Sequence, residues 1–166
     1  MTTRRVQKQG RCEVHTNARI DTVWEVVRDV TRTGEWSHEC VSVEWLADAT
    51  EARPGARFRG RNLASVFRWG RVCEVVSAEQ YELVWRTVPT ALSPDSTEWA
   101  IKLREDGQGT TIEQRFQVIR APKVLDVLCA LLIPSHRDRT AALTDDLRRL
   151  GEVASRVSSP PASADL

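Results

Sequence analysis

Most short signatures of catalysis and metal binding are missing from this sequence. No CxxC pair, Cys/His cluster, HExxH helix, GxSxG elbow or P-loop occurs among its 166 residues. Compact zinc sites, dithiol redox motifs, hydrolase elbows and nucleotide cradles built on those spacings are thereby excluded. The four cysteines, Cys12, Cys40, Cys73 and Cys129, are widely spaced and read as reduced, buried thiols. The longest apolar stretch, residues 124–133, is interrupted by Asp126 and is too short to cross a bilayer. MTTRRVQKQG at the start carries positive charge without a following apolar run, so no secretory signal is expected, and a soluble, cytoplasmic protein is. A marked excess of positive or negative side chains is missing as well. With 24 basic and 23 acidic side chains the net charge is +1, which argues against a dedicated polyanion binder.

The remaining composition, 41% hydrophobic and 28% charged, is that of a globular chain with one core. Residues 11–16 alternate, with Cys12, Val14 and Thr16 on one face, and read as a strand. Ile20, Val23, Trp24, Val27 and Val30 then form the stripe of an amphipathic helix, with Asn17 or Asp21 near its start. Residues 31–36, containing Gly34, read as a break and one further helical turn. Period-two alternation follows over residues 40–46, 57–62, 67–76, 81–87, 97–103 and 110–119. In the first of these Val41, Val43 and Trp45 share a face. Pro54-Gly55 and the segment 106–109 mark turns. The connection around Pro89, Ser93 and Pro94 is the expected mobile loop. After Pro122 the pattern is helical again, separated by Pro134 from a last helix. That helix has an inner stripe of Leu143, Leu147, Leu150 and Val153, with Asp145, Asp146, Arg148 and Arg149 on its wet side.

Six tryptophans are many for this length. Trp69, Trp85 and Trp99 fall on strand positions that can share a face, where aromatic rings stack on a guest or simply fill a core. Trp24 and Trp45 read as core. Asn62 follows Phe58 and Gly60 on one face of an arginine-rich strand and is the candidate polar anchor, with a backbone contact as the competing role. Bending of the sheet is the competing role for Gly60, as for glycine in strand interiors generally. Arg57, Arg59, Arg61, Arg68 and Arg71 read as a solvated outer face balanced by Glu44, Glu74 and Glu82. Of the histidines, His15 is expected in solvent and His136 near the start of the final helix. His38, beside Trp36, is the candidate general acid or base. The strand carboxylates alternate outward, so no acid/base pair is assigned.

A strand, a helix pair, six antiparallel strands and a terminal helix form an α+β layout. Together with Ile20, Val23-Trp24 and Asp29, Glu35-Trp36-Ser37, Pro54-Gly55 with Phe58, Gly60 and Asn62, Trp69, Trp99 and Gly109-Thr110, this order resembles the START-like (SRPBCC) superfamily. That group, with the helix-grip fold, includes the birch-pollen allergen group and proteins labelled polyketide cyclase/dehydrase. His38 departs from a proline common in the family. The resemblance implies a curved sheet of about seven strands wrapped around a long C-terminal helix, with two short helices after the first strand. It also implies an apolar cavity for a lipid, polyketide or other small hydrophobic molecule. The expected organisation is a flexible segment 1–10, a ligand-binding domain 11–157 and a disordered tail 158–166. Trp36, His38, Phe58, Gly60, Asn62, Trp69, Trp85 and Trp99 are the expected ligand contacts. No metal, cofactor, nucleic-acid partner or membrane insertion is expected, and the oligomeric state is left open. Three functions share this cavity: a binding protein, a polyketide aromatase/cyclase using His38 or Asn62, and an enediyne self-sacrifice protein. Members of that last branch give up hydrogen from a glycine Cα and are cleaved once, with Gly60, Gly70, Gly107 and Gly109 as candidates here.

Overall fold

The computed structural model describes residues 6–158. Strand β1 (Gln9–Thr16) leads into helix α1 (Ile20–Arg28) and a 3-10 helix (Val30–Glu35). Strands β2 (Cys40–Trp45), β3 (Arg57–Ala64), β4 (Phe67–Glu79), β5 (Glu82–Thr87), β6 (Ser96–Glu105) and β7 (Thr110–Arg120) follow. Helix α2 (Lys123–Leu132), a 3-10 turn (Pro134–His136) and helix α3 (Thr140–Ser158) complete the chain. The expected ends at residues 1–5 and 159–166 lie outside the described residues.

All seven strands pair antiparallel in one sheet, in the order β1-β7-β6-β5-β4-β3-β2. This is the α+β helix-grip architecture: a meander from β2 to β7, with β1 brought alongside β7 and α3 held on the concave side. Several strands run beyond their alternating segments. β1 begins at Gln9 because its first residues pair with Gln117 and Phe116, and backbone pairing leaves no hydropathy signal. Helix α1 starts without a side-chain cap, and Asp21 instead accepts a hydrogen bond from the Tyr81 hydroxyl at 2.6 Å. The 3-10 helix is capped by Asp29, which accepts from Thr31 N at 3.1 Å.

Three faces differ from those expected from the sequence, only the first of them because the alternation itself breaks. A register shift between Cys40 and Ser42 turns Val41 out to solvent, 55% exposed, while Val43 and Trp45 remain against the core. Arg71 is no part of the outer face: parity with Trp69 and Cys73 points it inward, and it is 15% exposed. Asp146 sits on the inner face of α3 at 2% exposure, since it is three residues from Leu143 and four from Leu150. The other arginines do face outward, Arg57 pairing with Glu74 at 2.7 Å and Arg59 and Arg61 with Glu44. Glu82 pairs with Arg115 and Lys102 instead.

The core joins the sheet to α1 and α3 through Val23, Val26, Leu83, Ile101, Ile112, Leu147 and Leu150, each at most 2% exposed. Trp24 and Trp45 are half-buried at its margin, Trp45 edge-on to Phe58. Between β6 and β7, Gly107 and Gly109 both have positive φ, at 81° and 152°. A Cβ on Gly107 would meet open space, whereas one on Gly109 would strike the Thr16 carbonyl oxygen. Gly109→Ala is therefore expected to lose about 2 kcal/mol or more of stability, and Gly107→Ala about 1 kcal/mol, in urea denaturation. Equal losses would refute the steric reading.

Candidate functional site

Between the concave face and the helices lies a cavity of about 440 Å³, within the range typical of small-molecule sites. The bulk of its wall follows from strand parity. Phe58, Gly60 and Asn62 come from β3; Trp69, Arg71 and Cys73 from β4; Trp85 from β5; Trp99 from β6; and Gln114 from β7. Trp36 and His38 enter from the segment after the 3-10 helix. Thus all eight residues singled out in the sequence border one space. Helix α2 roofs it with Leu125, Asp126 and Cys129, while Val124, Val127, Leu128, Leu131 and Leu132 of the same helix face out and are exposed.

One wall is an aromatic row. Trp85 is paired with Trp99 on β6, and Trp99 with Phe116 on β7. The two indoles stack with ring centroids 6.4 Å apart and planes at 11°, and Phe116 lies 5.2 Å beyond Trp99. Over the end of this row the Arg139 guanidinium carbon sits 5.4 Å from the Trp99 centroid and 5.4 Å from that of Phe116. Burial depresses the Arg139 pKa, against the raising influence of Glu39, Cys129 and Asp95.

Polar groups around the cavity fall into two sets. The first is internally satisfied. Both Asp95 carboxylate oxygens accept from Arg71 Nη1 at 2.7 Å, and the Asp95 carbonyl accepts from Nη2, so the β5–β6 loop is pinned to β4. That loop, expected to be mobile, is also closed by Thr90 N donating to the Ser93 carbonyl at 2.9 Å. His136, in the 3-10 turn, lies 2.7 Å from Glu39. Burial alone would raise the Glu39 pKa; the His136 hydrogen bond and nearby positive charge bring it below the ordinary value. His38 Nδ1 is 2.7 Å from Asp146 Oδ2, and the His38 amide donates to Asp146 Oδ1 at 2.8 Å. Arg149 also pairs with Asp146 and donates to the Trp36 carbonyl at 2.9 Å. His38 is thus held by a carboxylate on a helix residue from the far end of the chain. His15, in contrast, is exposed and pairs with Asp106 in the β6–β7 hairpin.

The second set is unsatisfied. Trp36 Nε1, Gln114 Oε1 and Arg139 Nε are buried without a hydrogen-bond partner among the described residues, and all three residues line this cavity. Asn62 also lines the cavity but is only half-buried. Gln114 shares the parity of Ile112 and Phe116, so alternation alone places it inward. Arg139 lies between the 3-10 turn and α3, where no periodicity marks it. The thiols are poor nucleophiles: burial pushes Cys12 and Cys40 up to about 11 and Cys73 to about 12. Among the described residues, no group of three or more His, Cys, Asp or Glu side chains could hold a metal ion, and no helix is long and apolar enough to cross a membrane.

The hydrogen bond to Asp146 raises the His38 pKa despite its desolvation. A raised folded-state value means that the pair stabilises the fold fully below the unfolded histidine pKa of about 6.5. That contribution is lost as pH rises through the folded value. An NMR titration is expected to place His38 above an ordinary imidazole. The stability gap between wild type and His38→Gln should be widest at acid pH and narrow toward alkaline pH. A gap that widens with pH would contradict the assignment.

No curated protein matches the chain by sequence. Among solved structures, TTHA0849 from Thermus thermophilus is similar with a TM-score of 0.70 at 17% identity, over 91% of this chain and 99% of that one. The ginseng major latex-like protein 151 of Panax ginseng gives 0.66 at 9% identity, over 89% and 99%. DynU16, a protein of the dynemicin biosynthetic locus, gives 0.59 at 18% identity, over 90% of this chain and 48% of that one. These likenesses are of fold. The sequence model of the family described as polyketide cyclase / dehydrase and lipid transport matches residues 8–148, most of the chain, and the protein belongs to that family.

Proposed function

We propose that the protein binds a small, oxygen-bearing hydrophobic molecule, such as a polyketide or a lipid, in the cavity between sheet and helices. The observation that carries this reading is the convergence of all three unsatisfied buried side-chain atoms of the described residues on one apolar space. Buried polar groups are ordinarily paired, at about 1–3 kcal/mol for each that is not. A guest that supplies acceptors to Trp36 and Arg139 and a donor to Gln114 removes that penalty. The Trp85–Trp99 row supplies apolar area at roughly 25 cal/mol per Å², before the costs of association. The eight residues singled out in the sequence are proposed as its contacts, with Asn62 as a further polar anchor.

Native mass spectrometry of protein purified from its host is expected to show a retained small molecule. Displacing it should change the tryptophan fluorescence, and Trp99→Ala should weaken rebinding by about tenfold or more. An empty protein that binds no apolar probe would refute the reading.

Two particular observations favour chemistry in the same cavity. For a cyclase, His38 is the candidate base: Asp146 holds Nδ1, and Nε2 has no partner among the described residues. Turnover of a polyketide mimic that His38→Gln abolishes, with binding retained, would favour the cyclase. For enediyne self-sacrifice the candidate is Gly60, because it lines the cavity while Gly70 lies on the exposed face of β4 and Gly107 and Gly109 lie in the hairpin. Incubation with a thiol-activated enediyne should then give two fragments divided at Gly60 by intact mass. An unchanged mass leaves the carrier.

A further inference from the structure

Every carboxylate that lines the cavity is committed. Asp95 is held by Arg71, Glu39 by His136, Asp146 by His38 and Arg149, and Asp126 by Lys8 at 2.7 Å and by the Val6 amide. Arg139 has no such partner among the described residues. Its Nε is buried and unbonded, and its charge rests on the faces of Trp99 and Phe116. Ring faces attract a cation but accept none of the N–H bonds that a guanidinium offers in its plane. The comparison with Arg71 is internal to the site: the same side-chain type lines the same cavity, but its fork is already filled by Asp95.

The backbone beneath Arg139 is fixed. Its amide donates to Gln7 Oε1 at 2.8 Å, and its carbonyl accepts from Leu143 N at 2.9 Å, which anchors it at the first turn of α3. The positive end of that helix adds to the local potential. A planar, prepositioned, unpaired cation beside a row of stacked rings is the arrangement that recognises a planar anion joined to a flat apolar body.

We infer that Arg139 anchors a carboxylate on the ligand, so that the cavity selects flat hydrophobic acids over neutral molecules of the same shape. This rests on the ligand-binding reading above and narrows it to a chemical class. The ring system lies along Trp85 and Trp99, and the carboxylate meets the guanidinium at the end of that row.

The test uses two fluorescent probes of one shape, anthracene-2-carboxylate and its neutral carboxamide, titrated into the full chain at pH 7 and low salt. Wild type is expected to bind the acid about 10- to 100-fold more tightly than the amide. Arg139→Met retains the stem over Trp99 and removes the charge. It should abolish that preference, weakening the acid by the same factor and changing the amide by less than about threefold, and Arg139→Lys should fall between. Equal affinity of wild type for both probes overturns the inference while leaving the cavity reading standing, as does an Arg139→Met variant that loses both alike. Binding of neither probe overturns both. If Arg139→Met does not fold, the acid-to-amide ratio of wild type decides alone.

Discussion

One helix cannot cover the concave side of seven strands. At about 4.8 Å between neighbours the sheet is roughly 29 Å across, whereas a helix with its side chains is about 10–12 Å thick. Helix α3 accordingly packs on β1 and touches β7, and α1 packs on α3 and β6. The inner faces of β3, β4 and β5 are left to smaller pieces: the 3-10 helix, the β5–β6 loop and α2. That shortfall of cover is the origin of the cavity, and the rest of the site follows from it.

Large aromatic rings partly compensate by standing off the sheet, and three of them form a row across β5, β6 and β7. Partly buried ion pairs hold the smaller pieces in place. Arg71 with Asp95 ties down a loop, Glu39 with His136 joins the segment before β2 to the turn before α3, and Asp146 gathers His38 and Arg149 beside Trp36. Each removes charge from water in a partly apolar setting, so each depends on its partner being kept. What stays unpaired is confined to the cavity, where a guest can reach it.

The strand residues of the site are legible because period-two alternation assigns a face to each position. Phe58, Gly60 and Asn62, then Trp69, Trp85 and Trp99, fall on one side from spacing alone. The same rule applied to Arg71 and Gln114 turns both inward, but their polarity suggests solvent. Asp146 misleads for a like reason, since a carboxylate beside an arginine reads as wet even when it lies on a helix's leucine face. At Val41 the rule itself fails, because a bulge resets the alternation without changing composition.

The order of elements, the faces of most strands and the leucine stripe of α3 can be read directly from the residues, because these depend on periodicities of two and 3.6 residues that local hydropathy records. Which polar groups meet is settled by the folded chain alone: Asp146 reaches His38 across 108 residues, Glu39 reaches His136 across 97, and Arg139 comes to rest on Trp99 and Phe116. Such meetings depend on how far α3 lies along the sheet and where the chain turns before it, and neither quantity leaves a periodic trace in the residues concerned.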